Sequence, residues 1–204
     1  IFDYDYILKG VRVVYMTGHT TAYVDDHSYF DNRTIEKGNG TIAWAIHPEY
    51  NKVQPTQRLT AMNNELGTIA FMIVKNDSIW YEDYIDGYNK NSKTNSFSMA
   101  KSIVTAMLGK AIMDGYIKSI EQPVGDFFPE FSKGLAAKMT VGDLSSMSSG
   151  LNWEESYTSP FSITARAYYH PNIRDVILGL KTIEIPGKKY KYLSGNTQLL
   201  GMVI

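Results

Sequence analysis

The sequence contains no cysteine. Disulfides, thiolate nucleophiles and cysteine metal sites are thereby excluded together, while the compartment stays open, because a cysteine-free chain suits the cytosol and the periplasm equally. Histidine is scarce: His19, His27, His47 and His170 are the four present, no two of them four residues apart. Without such a pair, or a His-Glu-x-x-His, no zinc site is expected. There is no charge excess either. Lys+Arg 20 against Asp+Glu 21 leaves a net charge of -1, which argues against a nucleic-acid binder or a polybasic membrane-surface protein. No run of about 18 apolar residues occurs, so no membrane span is expected. A Gly-x-Ser-x-Gly elbow is missing, and Gly38 and Asn39-Gly40 are not followed by the Lys-Ser/Thr of a phosphate-cradling loop. Asp25-Asp26-His27 reads as a charged turn after a strand rather than a metal patch. No repeat or low-complexity tract appears.

What is present is apolar material for a core: 204 residues, 44% hydrophobic, enough for one large domain or two small ones. Ile1 is not an initiator Met and no leader is visible, and Leu199 to Ile204 is an apolar run with no polar tail; both ends read as processed or cut. Residues 1–66 read as an N-terminal extension of unclear role, set apart from the more legible residues 67–204. Val11 to Tyr15 and Thr21 to Val24 have strand composition around a Gly18-His19 turn. Ile69 to Val74 reads as a buried strand, Lys75 to Ser78 as a turn and Ile79 to Glu82 as the return strand of a β-hairpin. Ser98 to Asp114 reads as a helix, apolar on nearly every side and therefore central and buried, with Gly115 as its stop. Thr140-Val141-Gly142-Asp143 looks like a capping box opening a short helix that ends near Gly150. Helix broken by Pro171 is expected across 160–180, a turn at Pro186-Gly187, and a last helix from Ser194. Strands first and helices after make an α+β domain.

The chemistry sits at Ser98-Met99-Ala100-Lys101. Residues three apart on a helix share a face, so the Lys101 amine can reach the Ser98 hydroxyl. A serine in the first turn also stands where free backbone N–H groups and the helix dipole favour a developing oxyanion. Apolar surroundings make a lysine give up its charge more readily, which lets it accept the serine proton. The bare pattern is weak, since chance alone supplies about one Ser-x-x-Lys in a chain of this composition. Taken by itself it reads as an N-cap serine with a solvated lysine.

The surroundings add specificity. Ser96 to Ser102 follows a hairpin and a polar loop; Thr140 to Leu151 comes about 45 residues later; Pro186 to Ser194 leads into Leu199-Leu200-Gly201. In that order these segments resemble the serine β-lactamase and penicillin-binding-protein superfamily. The likeness is to its class C-like branch of D-alanyl-D-alanine carboxypeptidases, esterases and 6-aminohexanoate-dimer hydrolases. It covers roughly residues 68–204. It implies a β-lactamase/transpeptidase-like α+β fold, an antiparallel sheet plus a helical region, with C-terminal strands missing from this chain. It implies that Ser98 is the acylated nucleophile, Lys101 its proton partner and Tyr192, in Tyr192-Leu193-Ser194, the acid/base for the leaving group. Ser194 stands where the family has Asn and would hydrogen-bond Lys101 or substrate, with a shorter reach and without the carboxamide's two donors. The family's third motif, Lys-Thr-Gly or His-x-Gly, would lie beyond residue 204, on a strand that also supplies a second oxyanion N–H, a donor whose removal typically costs about 2.7–4 kcal/mol.

The resemblance thus implies a serine hydrolase acting through an acyl-enzyme on an amide or ester, with a small-molecule or peptide substrate and no metal or organic cofactor. The alternative is a non-catalytic ligand-binding relative. Location rests on the resemblance alone, which favours the cell envelope over the cytoplasm. Glu154-Glu155 reads as a solvated acidic pair, and Tyr157, Tyr168, Tyr169 and Tyr190 as an aromatic surface flanking the cleft.

Overall fold

The computed structural model of the chain describes residues 4–36, 38–40 and 43–204; the front-end reading at Ile1 lies outside them. Two compact units emerge, residues 30–94 on one hand and residues 1–29 with 95–204 on the other.

The smaller unit holds helix α2 (Gln57–Leu66) and a three-stranded mixed sheet of β1 (Ala45–Ile46), β2 (Ala70–Lys75) and β3 (Ser78–Tyr84) in the order β1-β3-β2. The hairpin β2–β3 is antiparallel, with Lys75 opposite Ser78, and β1 runs parallel to β3. The turn forms because Asn76 and Asp77 both take positive φ, 49° and 57°, the double left-handed geometry that matches strand twist and that Asn and Asp tolerate. Helix α2 starts at Thr56, whose hydroxyl accepts the Leu59 N–H, and stops at Gly67. The expected buried strand is a correction: most of β2 is exposed. Apolar composition licensed a strand but not its burial.

In the larger unit helix α1 (Asp5–Val13) replaces the first expected strand, and residues 21–24 form none. The reason is periodicity. Tyr6, Gly10 and Val13 recur at helical spacing and are the residues α1 buries, so β-branched composition at 11–15 was overruled by a one-sided apolar stripe. Gly10 lies against the Tyr169 ring of helix α5 (Ile163–Tyr169), leaving room for little more than hydrogen there.

The core is formed by helix α3 (Met99–Met113) with the 117–153 segment, helix α4 (Val141–Ser145), helix α6 (Ile173–Leu178) and helix α7 (Ser194–Val203). Leu108, Met139, Leu144, Leu151, Ile177 and Leu200 are among its buried members. The capping box at Thr140 and Asp143 is present in both directions, although α4 ends at Ser145, short of Gly150. Pro171 separates α5 from α6. Helix α3 has its expected bounds, but only Leu108 and Ala111 are buried, while Met99 and Ile103 are 72% and 61% exposed. Apolar residues all round a helix say that it can be covered, not which segments cover it. The expectation of a fully buried helix is corrected accordingly.

Candidate active site

Ser98 precedes α3 with helical dihedrals (φ -67°, ψ -12°), and its side chain caps nothing. The N-cap reading of this serine is therefore set aside. Its Oγ instead meets two side chains: Lys101 Nζ at 3.3 Å and the Tyr192 hydroxyl at 2.7 Å, both placed as donors to it. Lys101 arrives through helical spacing, three residues on. Its ammonium also lies 5.2 Å from the Tyr192 ring centre, within cation–π range. Phe97, one residue before the serine, sits at φ +44°, a region costly for a non-glycine residue and found mostly where neighbouring structure dictates it. Behind it, Asn95 is tied to the 23–26 segment: its N–H donates to the Val24 carbonyl at 2.8 Å, and its amide to Tyr23 O at 3.2 Å and to Asp26.

Tyr192 is brought in by a clasp between residues 147–155 and 181–196. Lys191 N–H donates to Met147 O at 2.8 Å, Gly187 N–H to Ser148 O at 2.9 Å and Ile183 N–H to Gly150 O at 2.9 Å. Further along, the fully buried Ser149 hydroxyl donates to the fully buried Asn196 Oδ1 at 2.5 Å. Gly195 accepts the flat of the Trp153 ring so closely that a Cβ would stand 2.5 Å from it. Leu193, at the N-cap of α7, offers no side-chain acceptor. Glu155 supplies one from outside, taking the Ser194 N–H at 2.7 Å and the Ser194 hydroxyl at 2.5 Å. A carboxylate at a helix N-terminus satisfies an orphan donor and meets the favourable end of the dipole.

Ser98, Lys101 and Tyr192 are thus brought together, whereas Ser194 turns its hydroxyl to Glu155. Glu155 was read as half of a solvated pair; it is half-buried and also accepts from the Tyr157 hydroxyl. Burial and that carboxylate push the Tyr157 phenol up to about 12. Tyr157 and Tyr169 line a small open cleft together with Tyr6, Gly10 and Pro160, while Tyr190 is largely exposed. Asp26, read as part of a charged turn, is fully buried, and burial raises its carboxyl above the ordinary 3.8 against the pull of the Tyr23 and Asn95 hydrogen bonds. No local signal distinguished Asp26 from Asp25, because burial is decided by the partner Asn95, 69 positions away. Among the described residues no cluster of three or more His, Asp or Glu is placed to hold a metal, and no helix is long and apolar enough to cross a membrane.

The family model described as Beta-lactamase matches residues 56–204, more than half of the chain, and the chain belongs to that family. Among solved structures its fold is similar to a protein from Bacillus anthracis assigned as a 6-aminohexanoate-dimer hydrolase (TM-score 0.55, 19% identity), covering 71% of this chain and 41% of that one. It is also similar to a protein from Bacteroides dorei DSM 17855 assigned as a beta-lactamase (TM-score 0.51, 21% identity), covering 72% of this chain and 44% of that one. The chain spans less than half the length of either. Among curated proteins none matches it.

Proposed function

We propose that the protein is a serine hydrolase that cleaves an amide or ester through an acyl-enzyme on Ser98. The observation that carries this reading is the placement of the Ser98 hydroxyl, which caps no helix and lies 2.7 Å from the Tyr192 phenol and 3.3 Å from Lys101 Nζ. Nucleophile and proton acceptor within hydrogen-bond reach are what acyl transfer requires.

In this scheme the Tyr192–Lys101 pair starts one proton short, as phenolate with ammonium or phenol with amine, and Ser98 Oγ adds to the carbonyl carbon while its proton passes to that pair. Collapse of the tetrahedral adduct breaks the bond to the leaving nitrogen or oxygen, which takes that proton from Tyr192. Water then repeats the sequence with the acyl group as acceptor, its proton returning by the same route, and Ser98 is regenerated. The Lys101 ammonium above the Tyr192 ring favours the stages in which negative charge lies on the phenol oxygen. The substrate class is a small ester, an ω-amino-acid amide or a D-Ala peptide. Ser194 in place of Asn weighs against a dedicated β-lactamase, because its hydroxyl is spent on Glu155.

The test is intact-mass spectrometry of the full-length protein after exposure to a fluorophosphonate or a penicillin, beside its Ser98→Ala variant. A single adduct lost in the variant is expected, with the fluorophosphonate the more effective reagent. Adducts that persist in Ser98→Ala, or none on the parent, would overturn the reading; the second outcome points to a ligand-binding relative without turnover.

A further inference from the structure

Glu155 takes three donors on one carboxylate: the Ser194 N–H, the Ser194 hydroxyl and the Tyr157 hydroxyl. Two of the three come from the residue that follows Tyr192 by two positions, and Leu193 between them is buried with 1% exposure. The Tyr192-Leu193-Ser194 turn is therefore pinned at its middle by a buried side chain and at its C-terminal end by this carboxylate, while Tyr192 itself is 38% exposed. A half-exposed phenol keeps a 2.7 Å approach to Ser98 only if the backbone that carries it is fixed. Its own packing is too slight to fix it. Along the clasp, Lys191–Met147 ties the backbone just before Tyr192, Ser149–Asn196 and Trp153–Gly195 hold the far side of the same turn, and Glu155–Ser194 is the first polar link after Tyr192.

We infer that Glu155 is a positioning residue that holds the Tyr192 phenol on Ser98 by gripping Ser194. The chemistry suits a carboxylate. It accepts an N–H and an O–H from one residue simultaneously, with oxygen lone pairs left for Tyr157, and charge-assisted bonds of this kind are short and stiff. A Gln at 155 accepts through one oxygen only: left on the two hydroxyls, which share Oε1, it turns its NH2 against the Ser194 N–H, and flipped it keeps the N–H and no longer accepts from either hydroxyl. In this account Ser194 departs from the family's Asn because its work has moved: it joins the turn to Glu155 rather than reaching Lys101.

The role rests on the acyl-transfer reading above, and the experiment separates the two. Fluorophosphonate labelling of Ser98 in the full-length protein is followed against reagent concentration for the parent, Glu155→Gln, Ser194→Ala and the double variant. The limiting labelling rate is expected to fall about 5- to 50-fold in each single variant, with the half-saturating reagent concentration unchanged. Because both substitutions cut one link, the double variant should be no slower than the slower single one. A loss of folded protein would instead lower the labelled fraction and leave the limiting rate alone. Parent labelling that Glu155→Gln and Ser194→Ala leave within twofold overturns the inference, as does a double variant whose loss is the product of the singles. If Glu155→Gln does not fold, the comparison of Ser194→Ala with the parent still decides: a fall of the limiting rate supports the inference and a rate within twofold overturns it. A parent that does not label at Ser98 overturns the acyl-transfer reading, and the inference falls with it.

Discussion

Gly150 is the joint of the clasp that delivers Tyr192, and replacing it by Ala tests how rigid that joint is. Its φ of +71° is left-handed, and a Cβ there would stand 2.3 Å from the Glu184 carbonyl oxygen and 2.8 Å from its carbon. Glu184 has no easy retreat, because Ile183 N–H and Glu184 N–H both donate to the Gly150 carbonyl, at 2.9 and 3.2 Å. Residues 151 and 182 are bridged beside it. The left-handed backbone costs an alanine about 1–2 kcal/mol, and forcing a carbon onto a fixed backbone adds about 1–3 kcal/mol. The control is Gly134→Ala, at φ +60° with nothing within 4 Å of the added carbon, which carries the first cost without the second. Urea unfolding of the full-length protein should therefore place Gly150→Ala below Gly134→Ala by about 1–3 kcal/mol, roughly 1 M in midpoint at an ordinary denaturant slope. Under conditions where both variants are folded, only Gly150→Ala should also slow labelling of Ser98. Equal losses of stability in the two variants would show that Glu184 yields, and the reasoning from the close approach would be wrong.

Three further outcomes follow from the same geometry. Tyr192→Phe removes the oxygen 2.7 Å from Ser98 and should slow labelling by about 10²–10⁴-fold while leaving the urea midpoint nearly unchanged; a loss below tenfold would remove Tyr192 from the proton path. Asn196→Ala strips the acceptor from the buried Ser149 hydroxyl and should cost about 1–3 kcal/mol. Adding Ser149→Ala should recover part of that loss, and strict additivity would deny the pair. Asp26 holds its proton more tightly folded than unfolded, since burial raises it above 3.8. Its contribution is therefore greatest in acid and is lost as pH rises through the raised value. Asn does not titrate, and with one acceptor oxygen and one NH2 it resembles the protonated acid, keeping the bond to either Tyr23 or Asn95, so the stability of Asp26→Asn relative to the parent should grow from about pH 4 upward; a pH-independent difference would contradict the assignment.

Local chemistry was legible wherever it decided the structure. The hairpin, the Ser98–Asp114 helix, the Thr140 capping box and the start of α7 at Ser194 are each fixed by residues within a few positions of one another, and each is found, although α4 stops at Ser145 and β3 runs on to Tyr84. Lys101 was reachable by the same logic, through i, i+3 spacing. Helix α1 was misread because β-branched residues at 11–15 were weighed by composition while the stripe of Tyr6, Gly10 and Val13 went unread. Glu155 and Asp26 were beyond local reasoning. An acidic residue looks alike on a loop and in a pocket, and only Ser194, 39 positions on, and Asn95, 69 positions on, tell the two apart.

Ser98 and Lys101 meet as soon as the first turns of α3 form, but Tyr192 comes from 94 positions further along the chain. Nucleophile and phenol are therefore assembled on different clocks. The local pair is ready within the time of helix formation, whereas the third member waits for closure of a long loop. A newly made chain would carry Ser98 beside Lys101 without the phenol until α7 has been made and docked. Labelling of Ser98 by a fluorophosphonate during refolding would then act as a stopwatch for the docking of α7, timing a tertiary event through a chemical one.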